Sequence, residues 1–193
     1  MNLGILGGSF DPVHLGHLRA AELARAGLGL EQVVFVPAHK SPHKPAPRAD
    51  GADRYTMACL ATAGHEQFSV LDLELRRGGE SYAVDTLAEL KAARPGDELF
   101  LIVGSDSLAA LPTWRDAVRI FELCTLAVVG RPGEAAADLG RLEQAGARMR
   151  VVAGPGLPVS SSELRRRLGE GRSVRYLVPD GVHEYIAKRG LYR

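Results

Sequence analysis

The tightest constraint on this chain is an alternation. Six short, nearly continuous apolar runs, at residues 3–6, 33–36, 68–71, 99–103, 126–129 and 150–152, are separated by longer amphipathic segments. Runs this short, with no polar residue at every second position, read as strands covered on both faces, as in a parallel sheet. The segments at 16–26, 54–63, 84–92, 114–121, 135–144 and 162–168 carry apolar residues at near-helical spacing, and 182–188 reads as a closing helix. Strand–helix alternation over the whole length predicts one doubly wound α/β domain over residues 1–193, with a mostly parallel sheet. In such sheets ligands bind beyond the carboxyl ends of the strands. The least regular segment, residues 37–51, is rich in Pro, His and Ala, and a loop of that length inside a compact domain is more often functional than idle.

Composition narrows the partners. Hydrophobic residues make up 46% of the 193 and charged residues 24%, the balance of a globular protein with a sizeable core. The formal net charge of +1 gives no general pull towards nucleic acid or an anionic membrane. An RNA-binding module would need a basic surface interleaved with aromatics, which this sequence lacks. A phosphate ligand must therefore be held by local donors. The opening MNLGILGGSF has too short an apolar run for a signal peptide. No stretch approaches the ~20 apolar residues of a membrane span. Cys59 and Cys124 both lie in apolar surroundings, so both are expected to be buried packing thiols in a reducing compartment. The expected location is cytoplasmic. Lysine is scarce, at Lys40, Lys44, Lys91 and Lys188 only, and two of these share one short loop, which points to a compact point charge there.

The first strand runs into Gly7-Gly8-Ser9-Phe10-Asp11-Pro12-Val13-His14-Leu15-Gly16-His17. This is neither the G-x-G-x-x-G dinucleotide fingerprint nor a P-loop. Two glycines let a ligand approach the backbone. A helix is expected to begin near Val13 or His14, putting His14 and His17 on one face of its first turn. Gly16 would leave room for something bulky beside the imidazoles. Free N–H groups at a helix start, with two imidazoles beside them, form a site for a polyphosphate. A metal-binding pair joined by His39 and His43, or two incidental surface histidines, are the alternatives, and neither accounts for the glycines.

GSFDPVHLGH resembles the H-x-G-H signature of the nucleotidylyltransferase superfamily. Further segments narrow the likeness: His43-Lys44-Pro45, Asp53-Arg54-Tyr55-Thr56-Met57, Ser81-Tyr82-Ala83-Val84-Asp85-Thr86-Leu87, Gly104-Ser105-Asp106, Leu111-Pro112-Thr113-Trp114, Val159-Ser160-Ser161-Ser162-Glu163-Leu164-Arg165, and Val178-Pro179 before Tyr185-Ile186. Taken in order, they resemble the bacterial nicotinate-nucleotide adenylyltransferases over essentially the entire chain. The resemblance implies a Rossmann-like fold of nucleotidylyltransferase type and the reaction of ATP with nicotinate mononucleotide to give deamido-NAD and pyrophosphate. Related acceptors such as phosphopantetheine, or a catalytically silent regulator, are the rival readings.

The same resemblance implies roles. His14, His17, Lys44 and Arg165 would be catalytic. Gly7, Gly8, Ser9, Phe10, Gly104, Asp106, Arg131, Ser160 and Ser161 would bind ATP, Asp106 through either a ribose hydroxyl or the water shell of a metal. Tyr82, Ala83, Asp85, Thr86 and Trp114 would bind the nicotinate nucleotide, with Trp114 stacking on the ring. No protein metal site is expected, and Mg²⁺ would arrive on the ATP phosphates. Ser160 is also a helix N-cap by pattern, with Glu163 three residues on. Leu164 and Leu168 should face the core, with Arg166 and Arg167 as surface charge. Ala83 and Ser162 stand where relatives usually carry threonine. No nucleic acid or membrane partner is expected, and a homo-oligomer is compatible with these motifs.

Overall fold

The computed structural model describes residues 1–42, 45–130 and 136–193. All six expected strands form: β1 (Asn2–Gly8), β2 (Gln32–Pro37), β3 (Phe68–Val70), β4 (Glu98–Gly104), β5 (Thr125–Gly130) and β6 (Met149–Ala153). They lie in one sheet in the order β3-β2-β1-β4-β5-β6. The order reverses between β1 and β4, as in doubly wound nucleotide-binding folds. The helices are α1 (Leu15–Leu28), α2 (Gly51–Thr62), α3 (Leu73–Arg77), α4 (Ala83–Ala93), α5 (Ala117–Leu123), α6 (Ala136–Gln144), α7 (Ser161–Gly169) and α8 (Asp180–Arg189). No helix among the described residues is long and apolar enough to cross a membrane.

The chain gathers into two compact units. The first comprises Met1–Leu6, Ala20–Val34 and Tyr82–Gly156. Here β1 pairs with β4, β4 with β5 and β5 with β6, all parallel, with Leu3 opposite Leu99, Leu101 opposite Leu126 and Val128 opposite Val151. Leu3, Leu101, Leu126 and Val128 are buried, which is why their runs lack polar alternation. Gly4 lets neighbouring side chains pack closely: a Cβ there would fall 2.9 Å from Leu30 Cδ1 and 3.0 Å from Val33 Cγ2.

The second unit comprises Gly7–Arg19, Phe35–Ser81 and Leu157–Arg193. Phe35 stacks at a tilt between Phe10 and Phe68, with ring centroids 5.8 and 5.4 Å away. Asp50 caps α2 by accepting from the Asp53 N–H at 2.7 Å, so the helix starts three residues before the apolar pattern does. The buried Asp53 carboxylate ties α2 to α8, accepting from the Tyr185 hydroxyl at 2.7 Å and Arg189 Nε at 3.1 Å.

The structure departs from the sequence reading in a few places. The helix expected over 114–121 forms as α5 from Ala117, and an unexpected 3-10 run, Ser105–Thr113, precedes it. Pro112 has no N–H to give, and the turn closes by a three-residue bond from Trp114 N to Leu111 O at 3.0 Å. The five-residue α3 is too short to leave a periodic pattern. Cys124 is buried, with its thiol pushed up to about 12 by desolvation. Cys59 is only half-buried. Leu164 is fully buried, whereas Leu168 is half-exposed.

Candidate active site

The loop leaving β1 belongs to the second unit. Gly7 is exposed, and a Cβ there would meet nothing within 4 Å. Phe10 adopts a left-handed φ of 48°, which a non-glycine residue keeps only under constraint. That turn drives its ring into the core, at 1% exposure, so only its backbone is available to line a ligand path. The Asp11–Pro12 peptide is cis.

His14 does not sit in the first turn of α1 as expected. It precedes the first helical residue, Leu15. The two imidazoles nevertheless stack, with centroids 3.7 Å apart and planes inclined at 24°. The space beside Gly16 is filled by His14 itself: a Cβ at Gly16 would fall 2.9 Å from His14 Nδ1. His17 Nδ1 accepts the His14 backbone N–H at 3.2 Å. With Nδ1 an acceptor, the proton of the neutral ring sits on Nε2, which is a donor. The edge of Phe10 packs against His17 at 5.0 Å and limits its rotation.

Helix α7 is fastened to this loop. Ser160 caps the helix by accepting from the Glu163 N–H at 3.3 Å, as the sequence pattern indicates. Ser161 Oγ donates to Pro12 O at 2.9 Å. Arg165 Nη1 donates to Asp11 O at 2.7 Å and lies 3.5 Å from Asp11 Oδ2, while Nη2 donates to Ser162 Oγ at 3.1 Å. His14, His17, Ser161 and Arg165 are thus brought to one loop. In this arrangement the Ser161 hydroxyl and much of the Arg165 fork serve the loop itself. Arg166 and Arg167 pair with Glu163 on the surface.

Asp11 and Arg54, two of the buried charged residues, hold this loop and carry no role in the sequence pattern. The Asp11 carboxylate, 3% exposed, accepts from the N–H groups of Arg48 and Ala49 at 2.9 and 3.0 Å and from the Tyr192 hydroxyl at 2.8 Å. Arg54 is 2% exposed and donates to four main-chain carbonyls: Ser9 at 2.7 Å, Ala38 at 2.6 Å, Ala49 at 3.2 Å and His39 at 3.3 Å. Both lie in quoted motifs, but their partners are main-chain groups or the side chains of Arg165 and Tyr192 far along the chain, which spacing does not reveal. The loop after β2 is zipped to residues 79–81 through His39 N to Ser81 Oγ, His39 Nδ1 with Gly79 O, and Ser81 N to Lys40 O. His43 and Lys44 lie outside the described residues.

In the first unit, Gly104 ends β4, and a Cβ there would lie 2.5 Å from Asp106 Oδ1. The exposed Asp106 carboxylate therefore folds back over the strand end. Tyr82 is the N-cap of α4. The N–H groups of Asp85 and Thr86 turn back to Tyr82 O at 3.2 and 3.4 Å, and helix geometry leaves those of Ala83 and Val84 without an intrahelical acceptor. The Thr86 side chain is buried at 3%. Asp85 faces Arg115, whose guanidinium lies 3.6 Å from Asp85 Oδ2 and 4.6 Å over the Tyr82 ring. Trp114 is half-buried rather than part of the core. Arg131 lies outside the described residues. Among the described residues, no three His, Cys, Asp or Glu side chains come together to hold a metal.

A glycine-rich strand-to-helix loop with paired imidazoles at the helix start defines a phosphate-handling α/β protein of the nucleotidyltransferase class. The cytidylyltransferase-like family profile matches residues 5–167. A Thermus thermophilus protein named probable nicotinate-nucleotide adenylyltransferase is 48% identical over 193 residues, covering 100% of both chains. A Frankia casuarinae protein of the same name is 48% identical over 190 residues, covering 97% of this chain and 98% of the relative. The Plasmodium falciparum nicotinic acid mononucleotide adenylyltransferase, solved in complex with NaAD, superposes with a TM-score of 0.82 at 19% identity, over 99% of this chain and 97% of that one. The chain belongs to the cytidylyltransferase-like family, among its nicotinate-nucleotide adenylyltransferases.

Proposed function

We propose that the chain transfers the adenylyl group of ATP to the phosphate of nicotinate mononucleotide, forming deamido-NAD and releasing pyrophosphate. The observation that carries the mechanism is the His14–His17 pair, with the His17 Nε2 proton fixed by the bond that its Nδ1 accepts. The acceptor phosphate is mostly dianionic at neutral pH, its second pKa being about 6. It needs no general base. One of its oxygens forms a bond to the α-phosphorus, the bond from that phosphorus to the bridging oxygen breaks, and pyrophosphate leaves with the electron pair. The protein's task is to hold two anions together and to stabilise charge on the α-phosphate and the leaving group.

His17 Nε2–H, the N–H groups of the Gly7–Phe10 loop and the start of α1 would supply that stabilisation. Lys44 would add a point charge from the loop after β2, Arg131 a second cation, and the Ser160–Ser161 helix start further donors. Arg165 would act on the triphosphate with the donors that Asp11 and Ser162 leave over. Magnesium suits this donor set: the exposed Asp106 carboxylate matches a cation carried mainly by substrate phosphates and water. When bound, the ion would neutralise phosphate charge. Trp114 would stack on the nicotinate ring, and the Ala83 and Val84 N–H groups would face its carboxylate. Because these donors are backbone groups, Ala83 in place of threonine keeps them. The nucleotide substrates are soluble, so a cytoplasmic enzyme is part of this reading.

The test is pyrophosphate release with ATP and Mg²⁺, with nicotinate mononucleotide, nicotinamide mononucleotide and phosphopantetheine supplied in parallel. Strong preference for the first is expected. A tenfold preference for phosphopantetheine would overturn the reading, and ATP binding without turnover on any acceptor would favour the silent regulator.

A further inference from the structure

Arg54 is the largest fully buried side chain among the described residues, and no step above uses it. Burying a cation is costly and normally calls for a partner carboxylate. Here the partners are carbonyls. Nη1 serves Ser9 O and Ala38 O, Nη2 serves His39 O, and Nε serves Ala49 O. Burial depresses its pKa, and the charges of Asp11 and Asp50 oppose that through space. Only a planar fork with donors at several points can meet carbonyls spread over three segments; a lysine offers three donors at a single atom.

Those carbonyls belong to the loop after β1, the loop after β2 and the entry to α2. In a planar trans peptide the C=O and the following N–H point in opposite directions. A Ser9 carbonyl fixed on Arg54 therefore turns the Phe10 N–H to the other side of the glycine-rich loop. By the same geometry, the Ala38 carbonyl turns the His39 N–H away, and it is seen on Ser81 Oγ at 2.9 Å. The left-handed φ of 48° at Phe10 shows that this stretch is held rather than relaxed.

We infer that Arg54 is a positioning residue for adenylyl transfer: it locks the Ser9–Phe10 peptide so that the Phe10 N–H faces the substrate phosphates, and it joins that loop to the loop bearing Lys44. This rests on the reading given under Proposed function. Arg54 touches no substrate and acts through the main chain.

The experiment compares full-length Arg54→Lys and Arg54→Gln with Val182→Ala, a cavity variant at a fully buried position of α8. Thermal melting, kcat, and KM for ATP and nicotinate mononucleotide are measured for each. The amide resonance of Phe10 is followed as inorganic pyrophosphate is added. Arg54→Lys should fold, with kcat lowered at least 30-fold and KM for nicotinate mononucleotide changed less than threefold. Val182→Ala should melt earlier and keep its kcat. The Phe10 resonance should move with pyrophosphate in the wild type and not in Arg54→Lys. A folded Arg54→Lys with kcat within threefold of wild type would overturn the inference. So would an equal loss of kcat in Val182→Ala, or loss of fold in both Arg54 variants, which would make the side chain a requirement of the fold alone. If wild type is silent with nicotinate mononucleotide, the acceptor reading fails, while the Phe10 resonance still decides the role of Arg54.

Discussion

Tyr192→Phe removes one oxygen atom and tests the buried Asp11 cluster directly. The Tyr192 hydroxyl donates to Asp11 Oδ1 at 2.8 Å, and the residue is 7% exposed. A hydrogen bond to a charged group contributes about 1.5–3 kcal/mol, so the substitution should cost about 2 kcal/mol at pH 7. For a chain of this size each kcal/mol lowers Tm by roughly 2–4 °C, giving a drop of about 4–8 °C. The pH dependence has a definite sign. Burial, then the neighbouring negative charge of Asp11, pushes the folded phenol far above its ordinary value. A raised acid contributes stability that is complete below its unfolded pKa, about 10 for tyrosine, and is lost as pH rises towards the folded value. At pH 11 that loss is about 1.4 kcal/mol. The phenylalanine variant has no phenol to ionise at this position, so its deficit should shrink from about 2 to about 0.6 kcal/mol between pH 7 and pH 11. Urea titrations of both proteins at the two pH values measure it. A deficit below about 0.5 kcal/mol at pH 7, on the scale of an ordinary surface change, would refute the reasoning. A deficit that does not change with pH would also refute it.

His17→Ala should lower turnover by about 2–4 kcal/mol of transition-state stabilisation, the scale of one preorganised donor. Steady-state kinetics showing an equal loss in binding and little in kcat would count against it. Trp114→Ala should raise KM for nicotinate mononucleotide roughly 3–10-fold, the worth of an aromatic stacking contact; an unchanged value removes Trp114 from the site. Alkylation of the folded protein at neutral pH, read by mass spectrometry, should label half-buried Cys59 well before buried Cys124, whose thiol is pushed up to about 12. Equal rates would contradict that burial.

The inner strands β1, β2, β4 and β5 were legible because they are buried, and a nearly continuous apolar run meets that condition; the edge strand β6, with Arg150 and Val151 exposed, shows only as a short apolar run. Helix starts were legible where a side chain supplies the cap, as Ser160 does for α7. They were misjudged by up to three residues where the cap lies ahead of the apolar pattern, as Asp50 does for α2. The Ser105–Thr113 run carries no helix in the sequence pattern, because three-residue turns leave no 3.6-residue period. At the site, the imidazole pair was visible in the spacing of His14 and His17, but its geometry was not: His14 lies outside α1, and its ring fills the space that Gly16 seemed to hold for a ligand.

What spacing could not carry is the inward side of the loop. A loop that turns its N–H groups towards anions must turn its carbonyls towards the protein. Those carbonyls then face an interior without water, where each needs a donor. Arg54 supplies Ser9, Ala38, His39 and Ala49, Arg165 supplies Asp11, and Ser161 supplies Pro12. Buried donors behind the loop are thus the counterpart of the anion site proposed in front of it. This explains why Arg165, which the family resemblance assigns to the triphosphate, spends its shortest bond on the Asp11 carbonyl. It also explains why a chain with a net charge of only +1 places a fully buried cation directly behind its glycine-rich motif.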